Sequence, residues 1–106
     1  MNKLTILAVE TSCDETAAAV VENGKIKASI IASQAKIHNQ FGGVVPEVAA
    51  REHIPSIIPV IELALKTSGT RLVNVDYIAV TQGPGLITSL MTGTETAQVL
   101  GLALSK

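Results

Sequence analysis

Between Glu10 and Thr16 the chain gathers the hydroxyls of Thr11 and Ser12, the thiol of Cys13 and the carboxyls of Glu10, Asp14 and Glu15. Short polar side chains of this kind hydrogen-bond nearby backbone and stabilise a turn. The same groups, with the backbone N–H groups around them, can also wrap a phosphate while a carboxylate organises metal or water. Gly83-Pro84-Gly85 is the second candidate. Two glycines let a ligand come close to the backbone, and a turn from strand to helix is where α/β sheets bind ligands. Gly-Pro-Gly is also simply a way to turn. Gly42-Gly43-Val44-Val45-Pro46-Glu47, with Arg51, Glu52 and His53 beyond it, reads as a loop and a capped helix start. His38 and His53 are too far apart to pair on one helix turn, and neither has the neighbours of a zinc site, so both read as packed or surface residues. Gly93, Ala97 and Gly101 recur every four residues. On a helix they form a small-residue stripe, suited either to close packing within the domain or to a partner helix. Cys13 has no histidine near it in sequence to activate it as a nucleophile.

These groups need a frame. Leu4 to Glu10 and Thr16 to Glu22 read as buried strands. Asn23-Gly24 is a strong hairpin signal, and Lys25 to Ser33 follows as a third strand with Ile26, Ala28, Ile30 and Ala32 on one face. Gln34 to Val45 reads as irregular. Pro46 suits the first position of a helix, Glu47 complements its positive end, and Ser68-Gly69 ends it. Within that helix Ile54, Ile57, Ile58, Ile61 and Leu65 form the apolar stripe, while Pro55 and Pro59 predict a kink or break. Asp76 to Thr81 reads as a fourth strand. Leu86 to Ser105 reads as a second long helix, with Leu86, Leu90, Ala97, Leu100, Gly101 and Leu104 inward. The order βββαβα predicts an α/β fold, a mixed sheet with helices on one side.

Composition excludes several classes. The chain has 106 residues, enough for one small domain spanning 1–106, and 47% are hydrophobic, which is not the profile of a disordered tail. Phe41 and Tyr77 are its only aromatic residues, too few for base stacking, and a net charge of -1 with scattered basic residues leaves no nucleic-acid or membrane footprint in this segment. The single cysteine cannot form an internal disulfide, which favours a reducing compartment. The apolar stretch from Leu4 to Val9 is too short for a signal peptide, and no run approaches the length of a membrane span. The expected location is cytoplasmic.

Glu10-Thr11-Ser12-Cys13-Asp14-Glu15-Thr16, Gly42-Gly43-Val44-Val45-Pro46-Glu47, Arg51-Glu52-His53 and Gly83-Pro84-Gly85-Leu86, in this order, resemble the N-terminal part of one family. It is the universal family once labelled O-sialoglycoprotein endopeptidase, or glycoprotease, whose members form the catalytic subunit that makes N6-threonylcarbamoyladenosine in tRNA. The resemblance covers essentially the whole chain and is closest to the bacterial and organellar branch. It implies a ribonuclease-H-like βββαβα lobe of the actin/Hsp70/sugar-kinase fold. It implies transfer of threonylcarbamoyl from threonylcarbamoyl-adenylate to N6 of adenosine 37, in tRNAs that read codons starting with A. Asp14 and Glu15 would then be supporting catalytic groups of the cleft loop. Thr11, Ser12, Gly83, Pro84 and Gly85 would be substrate-binding, and Gly93, Ala97 and Gly101 a partner interface.

The family's metal, iron or zinc, is held by a His-x-x-x-His pair and a later Asp. That pair would come just after Lys106, and the second lobe also lies outside the chain. No metal ligand is therefore expected here, and the segment is expected to be a truncated lobe, inactive alone. Gln98 stands where the family often has Lys. The implied partners are a paralogous non-catalytic subunit that docks through paired helices, an ATPase subunit, and tRNA for the complete enzyme, with a homodimer of the lobe a further expectation. Two other readings compete. A stand-alone lobe acting by dimerisation is disfavoured because the silent paralogue usually lacks the Cys-Asp-Glu string. A glycoprotein metalloendopeptidase would need a metal or a Cys–His pair.

Overall fold

The computed structural model describes residues 3–106, so Met1 and Asn2 of the expected single domain lie outside the described residues. Strands β1 (Thr5–Glu10), β2 (Glu15–Glu22) and β3 (Lys25–Ser33) form an antiparallel meander. A short helix α1 (Ala35–Asn39) and a long helix α2 (Pro46–Ser68) lead to β4 (Tyr77–Val80), and α3 (Ile87–Leu104) follows. The sheet order is β3-β2-β1-β4, with β4 parallel to β1. A parallel neighbour cannot be reached by a tight turn, so α1 and α2 make the crossover. The fold is mixed α/β, a central sheet with flanking helices, as expected.

Alternation decides the two faces of the sheet. Leu7 and Val9 of β1, Ala18 and Val20 of β2 and Ala28 of β3 are buried and pack on Ile57, Val60, Ile61 and Ala64 of α2. Each large aliphatic chain buried this way is worth roughly 1.5–3 kcal/mol. Ile78 and Leu100 join the same cluster, so both long helices cover one face. The other face carries Ala8, Ala17, Ala19 and Ala79, which with Ile31 line a shallow hollow of about 380 Å³.

Four local expectations change. Pro55 and Pro59 do not divide α2, which runs unbroken from Pro46 to Ser68. They are four residues apart on the solvent side, where carbonyls freed by the missing N–H groups can bond water instead. The buried stripe of α2 is Ala49, His53, Ile57, Val60, Ile61 and Ala64, while Ile54 and Ile58 are exposed. Ile26 also leaves its expected face. Val21 pairs with Ile26 but Val20 pairs with Ala28, so one extra residue shifts the register and turns Ile26 outward, 72% exposed. Part of the segment read as irregular, Ala35–Asn39, is helical.

Both ends of the β1–β4 pair are clamped. Asp76 donates its N–H to the Thr5 carbonyl and accepts the Thr5 N–H on its carboxylate, both at 2.8 Å. At the other end the Thr81 N–H reaches the Val9 carbonyl at 3.2 Å. The carboxyl ends of β1 and β4 therefore emerge side by side, and this brings the two candidate motifs together.

Candidate functional site

The β1–β2 corner lies directly against the turn between β4 and α3. The Leu86 N–H donates to the Ser12 carbonyl at 2.7 Å. A Cβ placed on Gly85 would stand 2.6 Å from the Ser12 carbonyl oxygen and 2.7 Å from its Cβ. Gly85 thus permits an approach of backbone to backbone, and the close neighbour is Ser12. A Cβ on Gly83 would meet nothing within 4 Å, so of the two glycines Gly83 leaves the open space. The Gly83–Pro84 bond is cis, and Gly83, Pro84 and Gly85 are all exposed.

Thr11 points inward. It is fully buried, and its hydroxyl donates to the Ser89 carbonyl at 2.7 Å and accepts the Gly93 N–H at 3.0 Å. Ser89 and Gly93 are four apart, the pair that a regular helical turn joins, so the Thr11 hydroxyl sits between the partners of one helical bond. A Cβ on Gly93 would come 2.6 Å from that hydroxyl. The Thr11 side chain consequently fastens the corner to α3 and faces no cleft. The Ser89 hydroxyl beside it is buried with no partner among the described residues.

Two histidines hold the corner from the opposite side. His53, fully buried in α2, directs Nε2 to the Cys13 carbonyl at 2.8 Å and Nδ1 to the Thr16 hydroxyl at 2.7 Å. The Gln34 N–H donates to the Asp14 carbonyl at 2.9 Å. The Gln34 side chain donates to the Ala49 carbonyl and accepts from His38 Nε2 at 2.7 Å, while His38 Nδ1 accepts the Val45 N–H. Both rings are buried, and each is fully used in hydrogen bonds. The expectation that they are packed agrees with this. What sequence reasoning missed is that His53 packs against the candidate loop while His38 fixes Gln34 beside it, although the buried stripe of α2, read with His53 in place of Ile54, carries the signal for the first.

Ser12 is half-buried, and its N–H donates to the Glu10 carboxylate at 2.6 Å. Asp14 is half-buried and Glu15 exposed at the start of β2. Burial pushes the Cys13 thiol above its ordinary range, and the charges of Asp14 and Glu10 push it further, against a backbone hydrogen bond near Asp14. A thiol held protonated is a poor nucleophile. Gly93 and Ala97 are buried on the sheet side of α3, and a Cβ on Gly101 would stand 3.2 Å from the Lys106 carbonyl. The outward side of the two long helices instead presents Ile54, Ile58, Val99 and Leu102.

Among the described residues no group of three or more His, Cys, Asp or Glu could hold a metal ion. With both histidine rings committed elsewhere, these residues do not fit the iron or zinc that the resemblance implies. No helix of the described residues is long and apolar enough to cross a membrane.

Residues 25–106 match the family described as tRNA N6-adenosine threonylcarbamoyltransferase. The chain is 53% identical over 102 residues to the enzyme of that name from Moorella thermoacetica, covering 95% of this chain and 30% of the relative. It is 54% identical over 107 residues to that from Clostridium perfringens, covering 100% and 32%. It therefore spans about a third of the length of these relatives. Among solved structures it resembles YeaZ from Pseudomonas aeruginosa, with TM-score 0.71 and 26% identity over 97% of this chain and 41% of that one. A second structure, an uncharacterized protein with similarity to peptidase YEAZ from the same organism, gives TM-score 0.75 and 27% identity over 97% and 40%. The matched residues, the mixed sheet and the high identity over nearly the whole chain lead to one conclusion: the chain belongs to the tRNA N6-adenosine threonylcarbamoyltransferase family, as a bacterial-type N-terminal lobe.

Proposed function

We propose that this lobe forms one wall of the active site of a tRNA N6-adenosine threonylcarbamoyltransferase and is inactive alone. The observation that carries this reading is 54% identity across the whole chain to a transferase of which it spans 32%. In the proposed reaction N6 of adenosine 37, in tRNAs reading ANN codons, attacks the carbamoyl carbon of threonylcarbamoyl-adenylate. The bond to the adenylate phosphate breaks, AMP leaves, and the amine loses a proton. Asp14 and Glu15 serve as supporting carboxylates at the corner. Ser12 offers its hydroxyl to the adenylate and Gly83, Pro84 and Gly85 offer backbone, with Gly83 the most open. Thr11 acts from beneath by fixing Ser12 against α3.

The family's iron or zinc would polarise the acyl group, and its ligands would belong to parts of the enzyme outside this chain. A paralogous non-catalytic subunit is the proposed partner, a reading supported by the likeness to YeaZ. It would dock helix on helix along α2 and α3, while Gly93 and Ala97 keep α3 close to the sheet beneath that contact and Gly101 lies against the Lys106 carbonyl. An ATPase subunit and tRNA complete the proposed assembly, in the cytoplasm.

Transfer of labelled threonylcarbamoyl to tRNA by the complete, reconstituted enzyme tests this. Glu15→Ala is expected to lower transfer about tenfold with the lobe still folded by circular dichroism, less than the loss of a proton-transferring group would cost, as suits a supporting carboxylate. Unchanged transfer would reduce the loop to structure, and robust turnover by residues 1–106 alone would contradict the one-wall reading.

A further inference from the structure

We infer that His53 is a positioning residue for the β1–β2 corner, holding the Cys13–Thr16 backbone in the shape on which Asp14 and Glu15 stand. A carbonyl can only accept, so the 2.8 Å contact to Cys13 requires a proton on Nε2. The neutral ring then leaves Nδ1 to accept the Thr16 hydroxyl at 2.7 Å. One ring thereby bridges residues 13 and 16, the two sides of the corner, and ties both to α2. It has no solvent exposure, so water does not compete for either bond, and a buried, fully paired polar group specifies one geometry.

The bridge is one of four fastenings that converge on this corner. Thr11 is held by α3 and Ser12 by Leu86. Among the described residues only His53 grips the Cys13–Thr16 half through a side chain, beside the backbone bond from the Gln34 N–H to Asp14 and the pairing of β2 with β3. Loss of this ring should therefore loosen the acidic half of the corner first and leave the far end of the sheet as it was. The effect on transfer rests on the function proposed above, whereas the tautomer and the local effect do not.

Three measurements test it. Nitrogen NMR of the ring in the 106-residue chain should show a neutral His53 with its proton on Nε2 and in slow exchange. A proton on Nδ1, or a ring exchanging freely with solvent, would overturn the assignment. Hydrogen exchange should then be followed in Thr16→Val, His53→Gln, which keeps a donor near the Nε2 position, and His53→Asn, which does not. The Gln34 amide should exchange about tenfold faster in Thr16→Val and more in His53→Asn, with His53→Gln between wild type and His53→Asn, while the Asn23 and Asp76 amides hold their rates, as expected for local rather than global opening. A uniform rise over the sheet, or no rise at Gln34, would sink the positioning role. In the complete transferase, Thr16→Val should lower kcat several-fold with KM for tRNA unchanged. Normal kcat together with a loosened corner would remove the functional half of the inference. Absence of transfer by wild type would strike the proposed reaction instead, and the first two measurements would still decide the positioning role.

Discussion

Asn23 and Gly24 close the β2–β3 hairpin with two residues at positive φ, 51° and 80°, the backbone that a tight two-residue turn requires. Its extra bonds come from one neighbour: Asn23 exchanges hydrogen bonds with Leu4, both at 2.8 Å. The corner at the other end of β2 is built differently. Residues 11–16 bond Ser89 and Gly93 of α3, Leu86 of the adjoining turn, Gln34 before α1, and His53 of α2. The first turn is made by its own residues. The second is made by segments that lie up to 82 positions away. A turn of the first kind tolerates changes elsewhere, whereas the second registers changes in several elements at once and can in return hold side chains in fixed places.

Substitutions at the two ends of β2 should differ accordingly. Gly85→Ala has the largest expected effect, because the new methyl meets backbone and Cβ of Ser12 at 2.6–2.7 Å and neither can move alone. A loss of about 3 kcal/mol or more is expected from such overpacking, read by denaturant unfolding. Gly83→Ala, with open space around it, is the matched control, and equal losses at the two glycines would break the comparison. Gly93→Ala comes next. It displaces the Thr11 hydroxyl and both its bonds, at a cost of about 2 kcal/mol, since each buried group left unpaired costs about 1–3 kcal/mol. Combining it with Thr11→Ala should recover part of the loss, and strict additivity would show that the two residues do not act together. Gly24→Ala should cost only about 1 kcal/mol, from backbone strain at positive φ with no clash, and should leave the exchange of the Gln34 amide unchanged. The smallest effect concerns Cys13. Its raised pKa leaves less thiolate at a given pH than an ordinary cysteine has, so alkylation at pH 8 should be slower than for a free thiol and should accelerate only above the ordinary thiol range. A rate at pH 8 equal to that of free cysteine would contradict the burial and the acidic surroundings of the corner.

Much of the frame was legible because its signals are local. The meander follows from alternating apolar residues and Asn-Gly, and the bounds of α2 from Pro46 at one end and Gly69, with φ of 69°, at the other. The errors arose where distant packing decides. A bulge opposite Val20 and Val21 sends Ile26 to the other face. The phase of α2 is set by the buried His53, which a count of aliphatic residues passes over. Pro55 and Pro59 look like helix breakers until their solvent-facing positions are known.

The chemistry divides in the same way. The order of the motifs, the residue types at the corner and the strand–turn–helix setting of Gly83–Gly85 are properties of the sequence, and they were enough to reach the family. Which side chains look outward belongs to the tertiary structure. Thr11 and Ser12 are adjacent and chemically alike, yet Thr11 is locked into α3 while Ser12 meets the glycine turn. Gly83 and Gly85 flank one proline, yet only Gly85 is held against another segment. A hydroxyl or a glycine carries no mark of its partner in the sequence. The partner is chosen when the parallel β1–β4 pair brings residues 11–16 and 83–93 to the same edge of the sheet.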